Sequence, residues 1–240
     1  LADNSAPSGQ PGGTPPSGSS SSQPGTPPDG SSSGQPGTPP DGAGGGGGGA
    51  DTMTYDYSGA LSGALTADGA EKSSDGESVS ADTADENAAL AENGGALTIT
   101  NGTLSKSGDD TDGDNCNFYG INSILLAVGE SSSAKISDST LTASSQGSNG
   151  IFATDSATVY ASGDTISTTA DNSRGLDATY GGTIVANDMT ISTEGDHCAA
   201  IATDRGGGSI SVANSQLSTA GSGSPLLYST GDIEVDNVTG

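Results

Sequence analysis

Tryptophan is absent, and phenylalanine and tyrosine together number eight in 240 residues, which leaves few rings on which a sugar could stack. Basic residues are nearly as scarce: five lysines and arginines face 30 acidic residues, for a formal charge of −25. That balance repels nucleic acid and anionic membrane surfaces and excludes both as partners. No apolar run approaches the length of a membrane span, so membrane insertion is not expected. No secretory leader is visible, and Leu1 in place of Met fits a chain whose leader has been removed. Cysteine occurs twice, at Cys116 and Cys198, too sparsely for a disulfide framework.

Proline is missing from most of the chain: ten of its 11 occurrences precede residue 43. Residues 1–50 are Pro, Gly and Ser, with QPGTPPDG at 23–30 and again at 35–42 and a run of six glycines behind them. Such a segment buries too little surface to offset its conformational entropy and reads as a disordered linker. Residues 51–87 offer a few strand-like positions and read as an irregular cap or first coil.

Beyond them a five-point frame recurs six times: apolar, any, apolar, any, then Asn, Asp or Gly. It runs Leu97, Ile99, Asn101; Ala134, Ile136, Asp138; Val159, Ala161, Gly163; Ile184, Ala186, Asp188; Ile210, Val212, Asn214; Ile233, Val235, Asn237. Counted from Ile99 the copies lie 37, 25, 25, 26 and 23 residues apart. Period-two apolar spacing makes half-buried strands, and the closing residue is of a type that accepts positive φ. A second strand begins at Leu104, Leu141, Ile166, Ile191 and Leu217; a third apolar set, Leu90, Leu125, Ile151, Leu176, Ile201 and Leu226, precedes each frame. Three short strands per ~25 residues predict an all-β, right-handed, single-stranded parallel β-helix over residues 88–240, continuing beyond the C-terminus. On this alignment Cys116 and Cys198 are three coils, roughly 14 Å, apart and stay free thiols.

The 37-residue interval holds an insertion after Lys106, through GDDTDGDNCN, expected as a loop on one side of the solenoid. Asp110, Asp112 and Asp114 within it have the oxygen density of a calcium site, without the downstream bidentate Glu of an EF-hand; a solvated acidic loop is the competing reading. If Leu176 and Ile201 point inward, Arg174, Asp177, Tyr180, Asp204 and Arg205 gather on one outward patch. Guanidinium forks beside carboxylates and a phenol suit sugar hydroxyls or acidic sugars, and equally a charge-balancing ladder. Among the rings, Phe152, Tyr160, Tyr180 and Tyr228 are possible platforms, with Tyr160 facing solvent between inward Val159 and Ala161. A flat Thr-x-Thr ice-binding ladder is not sustained, because Lys135 and Ser137, then Tyr160 and Ser162, follow Thr98 and Thr100.

The segments NFYGINSILLAVGESS at 117–132, SRGLDATYGGTIVA at 173–186, AAIATDRGGGSISV at 199–212 and YSTGDIEV at 228–235 resemble coils of adhesin-like right-handed β-helix surface proteins of bacteria, within the pectate-lyase-like architecture. The resemblance implies an extracellular or cell-surface location and a glycan or cell-surface partner. It transfers no catalytic residue. The expected function is an adhesin-like, carbohydrate-binding module, monomeric or part of a longer chain and needing no cofactor unless calcium binds. A structural spacer is the alternative, and a polysaccharide lyase or glycoside hydrolase the second one.

Overall fold

A strand with apolar side chains at every second position buries one face and leaves both edges open; stacking coil on coil satisfies face and edges together. The computed structural model, which describes residues 52–240, takes this solution. The linker expected over residues 1–50 lies outside the described residues. The first coil comprises β1 (Gly63–Asp68), β2 (Glu71–Asp75) and β3 (Ser78–Ala81), the second β4 (Asn87–Glu92), β5 (Ala96–Thr100) and β6 (Thr103–Lys106). A short helix, α1 (Gly113–Tyr119), precedes the third coil, β7 (Leu125–Val128), β8 (Ser133–Ser137) and β9 (Thr140–Ala143). Then come β10 (Ile151–Thr154), β11 (Thr158–Ser162) and β12 (Thr165–Thr168), followed by β13 (Leu176–Ala178), β14 (Gly182–Asn187) and β15 (Thr190–Thr193). The sixth coil is β16 (Ile201–Thr203) with the long β17 (Gly208–Thr219), and the seventh β18 (Leu227–Tyr228) with β19 (Asp232–Thr239).

The first strands of the coils form a seven-stranded sheet in the order β1-β4-β7-β10-β13-β16-β18. The second and third strands form two faces of one larger sheet, joined where β17 turns the corner unbroken. All pairings among the described residues are parallel. The chain is an all-β parallel β-helix, as its repeat spacing predicts.

Register confirms the frame. Leu97, Ala134, Val159, Ile184, Ile210 and Ile233 are successive strand partners. All but the last of these are buried, and a filled column of this kind stabilises by about 1.5–3 kcal/mol per large side chain. The closing residues Asn101, Asp138, Gly163, Asp188, Asn214 and Asn237 all sit at φ between 50° and 70°. Their side chains also link coils: Asn101 Nδ2 donates to Asp75 Oδ1 at 3.0 Å and Asn237 Nδ2 to Asn214 Oδ1 at 2.7 Å.

Two expectations need correction. Leu90 does not belong to the inward column: Ala89 partners Leu125, while Leu90 partners Leu126 and faces outward with Phe152. The run Ala88–Ala91 is apolar at every position, so periodicity could not tell the two faces apart. The insertion is also not simply a loop, because it contains α1. Together with residues 52–61, which follow the same side, α1 covers the outer face of the seven-stranded sheet. Tyr55 and Leu61 pack on the cluster of Leu90, Leu126, Val128 and Phe152.

Candidate functional site

Helix α1 has a cap at each end. Asp112, in extended conformation, is its N-cap, and Asp112 Oδ1 accepts from the backbone N–H of Asp114 at 2.9 Å and Asn115 at 3.4 Å. At the other end Gly120 adopts φ 72°, where a Cβ would come within 2.5 Å of the Phe152 ring. The last-turn carbonyls have no helical partner, and the solenoid supplies one for three of the four. Asn149 Nδ2 donates to Cys116 O at 2.9 Å, Arg174 Nη1 to Asn117 O at 3.2 Å, and Thr179 Oγ1 to Phe118 O at 2.8 Å.

The same arrangement accounts for the arginine patch. Arg174 Nη1 lies 2.8 Å from Asp177 Oδ2, and Arg174 Nη2 lies 3.4 Å from Asp204 Oδ2. The Arg205 guanidinium sits 3.5 Å above the centre of the Phe118 ring, and Tyr180 stacks on Tyr119 with 5.6 Å between centroids and 8° between planes. Arg174, Asp177, Tyr180, Asp204 and Arg205 are therefore brought together, but under α1 rather than at an open surface. Asp177 has no exposure, and Tyr180 and Asp204 are also buried. Burial pushes the Asp177 carboxyl up to about 7, with Arg174 pulling the other way. Burial also raises Asp204, again opposed by Arg174. The patch as folded holds the inserted helix to the fifth and sixth coils.

The insertion's carboxylates are dispersed, and one of them serves the helix directly. Asp112 caps it, Asp114 lies exposed in its first turn, and Asp110 packs over Gly147 of the third coil. Among the described residues no three His, Cys, Asp or Glu side chains gather as a metal ion would require. Cys116 and Cys198 are buried free thiols.

A site that sequence reading misses lies beside α1. Four of the six tyrosines meet there: Tyr55 is edge-on to Tyr119 and Tyr180 at 5.5 and 5.6 Å, and Tyr57 leans on Tyr119 at 5.2 Å. Asp56 accepts from the Tyr119 hydroxyl at 2.5 Å. Tyr55 and Tyr57 form one wall of a cleft of about 390 Å³ whose other side carries Glu92, Asn93 and Asp155. Burial raises the Glu92 carboxyl, with Asp68 adding to it, and raises Asp155, with Glu130 adding. The Tyr55 phenol is pushed well up by burial and by Asp155. Rings on one side and hydrogen-bonding carboxyl and amide groups on the other can hold a small polar ring compound.

Comparison of the chain with protein-family models, curated proteins and solved structures gives no match. The β-helix is established by strand register, and no family is. The only sequence signal for the cleft is the Tyr55-x-Tyr57 pair in an aromatic-poor segment; Glu92 and Asp155 look like any other acids of an acidic chain. Among the described residues no helix is long and apolar enough to cross a membrane.

Proposed function

We propose that the chain is an extracellular or cell-surface β-helix module that binds carbohydrate in the cleft between Tyr55 and Tyr57 and the carboxylates of Glu92 and Asp155. The observation that carries this reading is the convergence of two tyrosines, two carboxylates and Asn93 around one open cleft of about 390 Å³. A pyranose offers apolar C–H faces to aromatic rings and hydroxyls to carboxylates and amides, which is the complement of that lining. The acid-rich, lysine-poor composition and the resemblance to adhesin-like surface proteins support the location.

The test is a glycan-array screen of the chain, run with calcium and again with chelator, and repeated for Tyr57→Ala and Asp155→Ala. Selective retention lost in both variants supports the cleft. Retention unchanged in both variants moves the binding elsewhere. Silence with an intact fold favours the structural spacer, which draws its own support from the continuous parallel pairing of β1 through β18. For a hydrolase, the pair Asp177 and Asp204 is unsuited: both flank Arg174 beneath α1 instead of facing each other across a cleft.

A further inference from the structure

The face formed by the second strands carries a different kind of surface. Its five central strands, β5, β8, β11, β14 and the first half of β17, contain no acidic residue, in a chain with 30 of them. Acids return only on the outermost strands, at Glu71 and Asp75 of β2 and at Asp232, Glu234 and Asp236 of β19. In the middle of this face, Lys135, Tyr160 and Val185 are successive strand partners and point outward. Tyr160 is 48% exposed and Val185 41%, and neither ring contact nor covering segment reaches Tyr160 among the described residues.

The five basic side chains are not equivalent: Lys72 and Lys135 are both exposed, but Lys72 lies on the outermost strand β2 next to Glu71, away from the centre of this face. Lys106 is buried and donates to the carbonyls of Thr83 and Gly108, Arg174 is paired with Asp177 and Asp204, and Arg205 lies on Phe118. Lys135 is exposed and has no ion-pair partner among the described residues. It stands one strand, about 4.8 Å, from Tyr160. Thr158 and Thr183 flank this row on one side, Ser162 and Asn187 on the other, and a shallow concavity of about 400 Å³ opens over Tyr160 and Val185.

We infer that the Lys135–Tyr160–Val185 row is a binding site for a carboxylated sugar, distinct from the tyrosine cleft and independent of it. The ring of Tyr160, extended by Val185, is a platform for the C–H face of a pyranose; Lys135 is placed beside it to meet the carboxylate, and the flanking hydroxyls and amide meet ring hydroxyls. The chain's overall negative charge does not forbid this. The acids of β2 and β19 are each three strands, roughly 14 Å, from Tyr160, and Asp138 is about 10 Å along the chain from Lys135. Both distances exceed the Debye length of about 8 Å at physiological ionic strength, whereas Lys135 lies within it.

Sialic and uronic acids share this chemistry, and the experiment separates them. Sialyllactose and a glucuronate-containing tetrasaccharide, each as free acid and as methyl ester, are titrated calorimetrically into the full chain and into Lys135→Gln, Tyr160→Ala and Tyr57→Ala, with circular dichroism checking the fold. The expected result is binding of at least one free acid, weakened tenfold or more by esterification, by Lys135→Gln and by Tyr160→Ala, and unchanged by Tyr57→Ala. Equal binding of acid and ester overturns the inference, as does wild-type affinity in Lys135→Gln, or failure of every probe to bind folded protein. Sedimentation showing a dimer that Tyr160→Ala abolishes would assign the face to a second copy of the chain instead. Loss through Tyr57→Ala alone would return the ligand to the cleft.

Discussion

Arg205 and Phe118 are 87 residues apart in sequence, yet the guanidinium of one lies 3.5 Å from the ring centre of the other. This contact joins the sixth coil to the helix inserted before the third. A guanidinium on a ring contributes about 0.5–1 kcal/mol where exposed and about 2 kcal/mol where desolvated. Phe118→Ala is therefore expected to loosen α1 without disturbing the coils. Hydrogen exchange should accelerate over residues 113–120 while β11 and β14 keep their protection; acceleration across all coils would show that α1 is part of the cooperative core.

Arg174 has a heavier role, because it neutralises two carboxylates and also caps α1. Arg174→Ala leaves Asp177 buried without its cation, a change that typically costs about 3–5 kcal/mol. Without Arg174 the Asp177 carboxyl moves above the value of about 7 to which burial already raises it. Protonation then relieves the defect, so the loss should be larger at pH 8 than at pH 5. Urea denaturation of wild type and variant at the two pH values checks this, and a deficit independent of pH would assign the loss to the helix cap.

The coil was legible from residues that repeat, and the site was not, for a physical reason. Outside the one insertion, inward Leu, Ile, Val and Ala recur every 23 to 26 residues around the αL column, so one coil's constraint is restated in the next. The first coil reads from sequence only as an irregular cap or coil over residues 51–87, because Lys72 and Ser74 stand where later coils have Leu97 and Ile99. The cleft is built from single residues on unrelated elements: Tyr57 from the segment before β1, Glu92 from the end of β4 and Asp155 from the turn after β10. No spacing rule links them. The arginine patch was located correctly on the sheet, but nothing in the sequence said that α1 would lie on it.

Asp164 gives a prediction about pH. It is 1% exposed; Asp164 Oδ1 accepts from Ser139 N–H at 2.8 Å and Asp164 Oδ2 from Ser162 N–H at 3.0 Å. Burial raises its carboxyl to about 6 from 3.8, and the two N–H groups only partly compensate. A folded value above the unfolded one means that the folded state holds the proton more tightly. Stability from this group is present below pH 4 and is lost as pH rises toward 6, by on the order of 2–3 kcal/mol. Ser139 and Ser215, one coil before and two coils after, fill the same cross-coil role with Oγ. Asp164→Ser should remove the slope, giving a protein less stable than wild type at pH 4.5 and equally or more stable at pH 7.5. Parallel denaturation curves at both pH values would rule out Asp164 as the source.

Cys198 belongs to an internal ladder in which each coil's side chain accepts from the backbone of the coil before. Ser148 N–H donates to Ser173 Oγ at 2.9 Å, Ser173 N–H to Cys198 Sγ at 3.1 Å, and Cys198 N–H to Ser224 Oγ at 2.9 Å. The thiol thus stands where neighbouring coils use a hydroxyl, and burial raises it above the ordinary thiol range, as it does Cys116 more strongly. Neither cysteine should react with a thiol reagent in the native protein, and both should react once it is unfolded. Cys198→Ser keeps the acceptor and should change stability by less than about 1 kcal/mol. Cys198→Val leaves the buried Ser173 N–H without a partner and should cost about 1–3 kcal/mol. Equal stability of the Ser and Val variants in thermal unfolding would show that packing, not the ladder, sets the residue at this position.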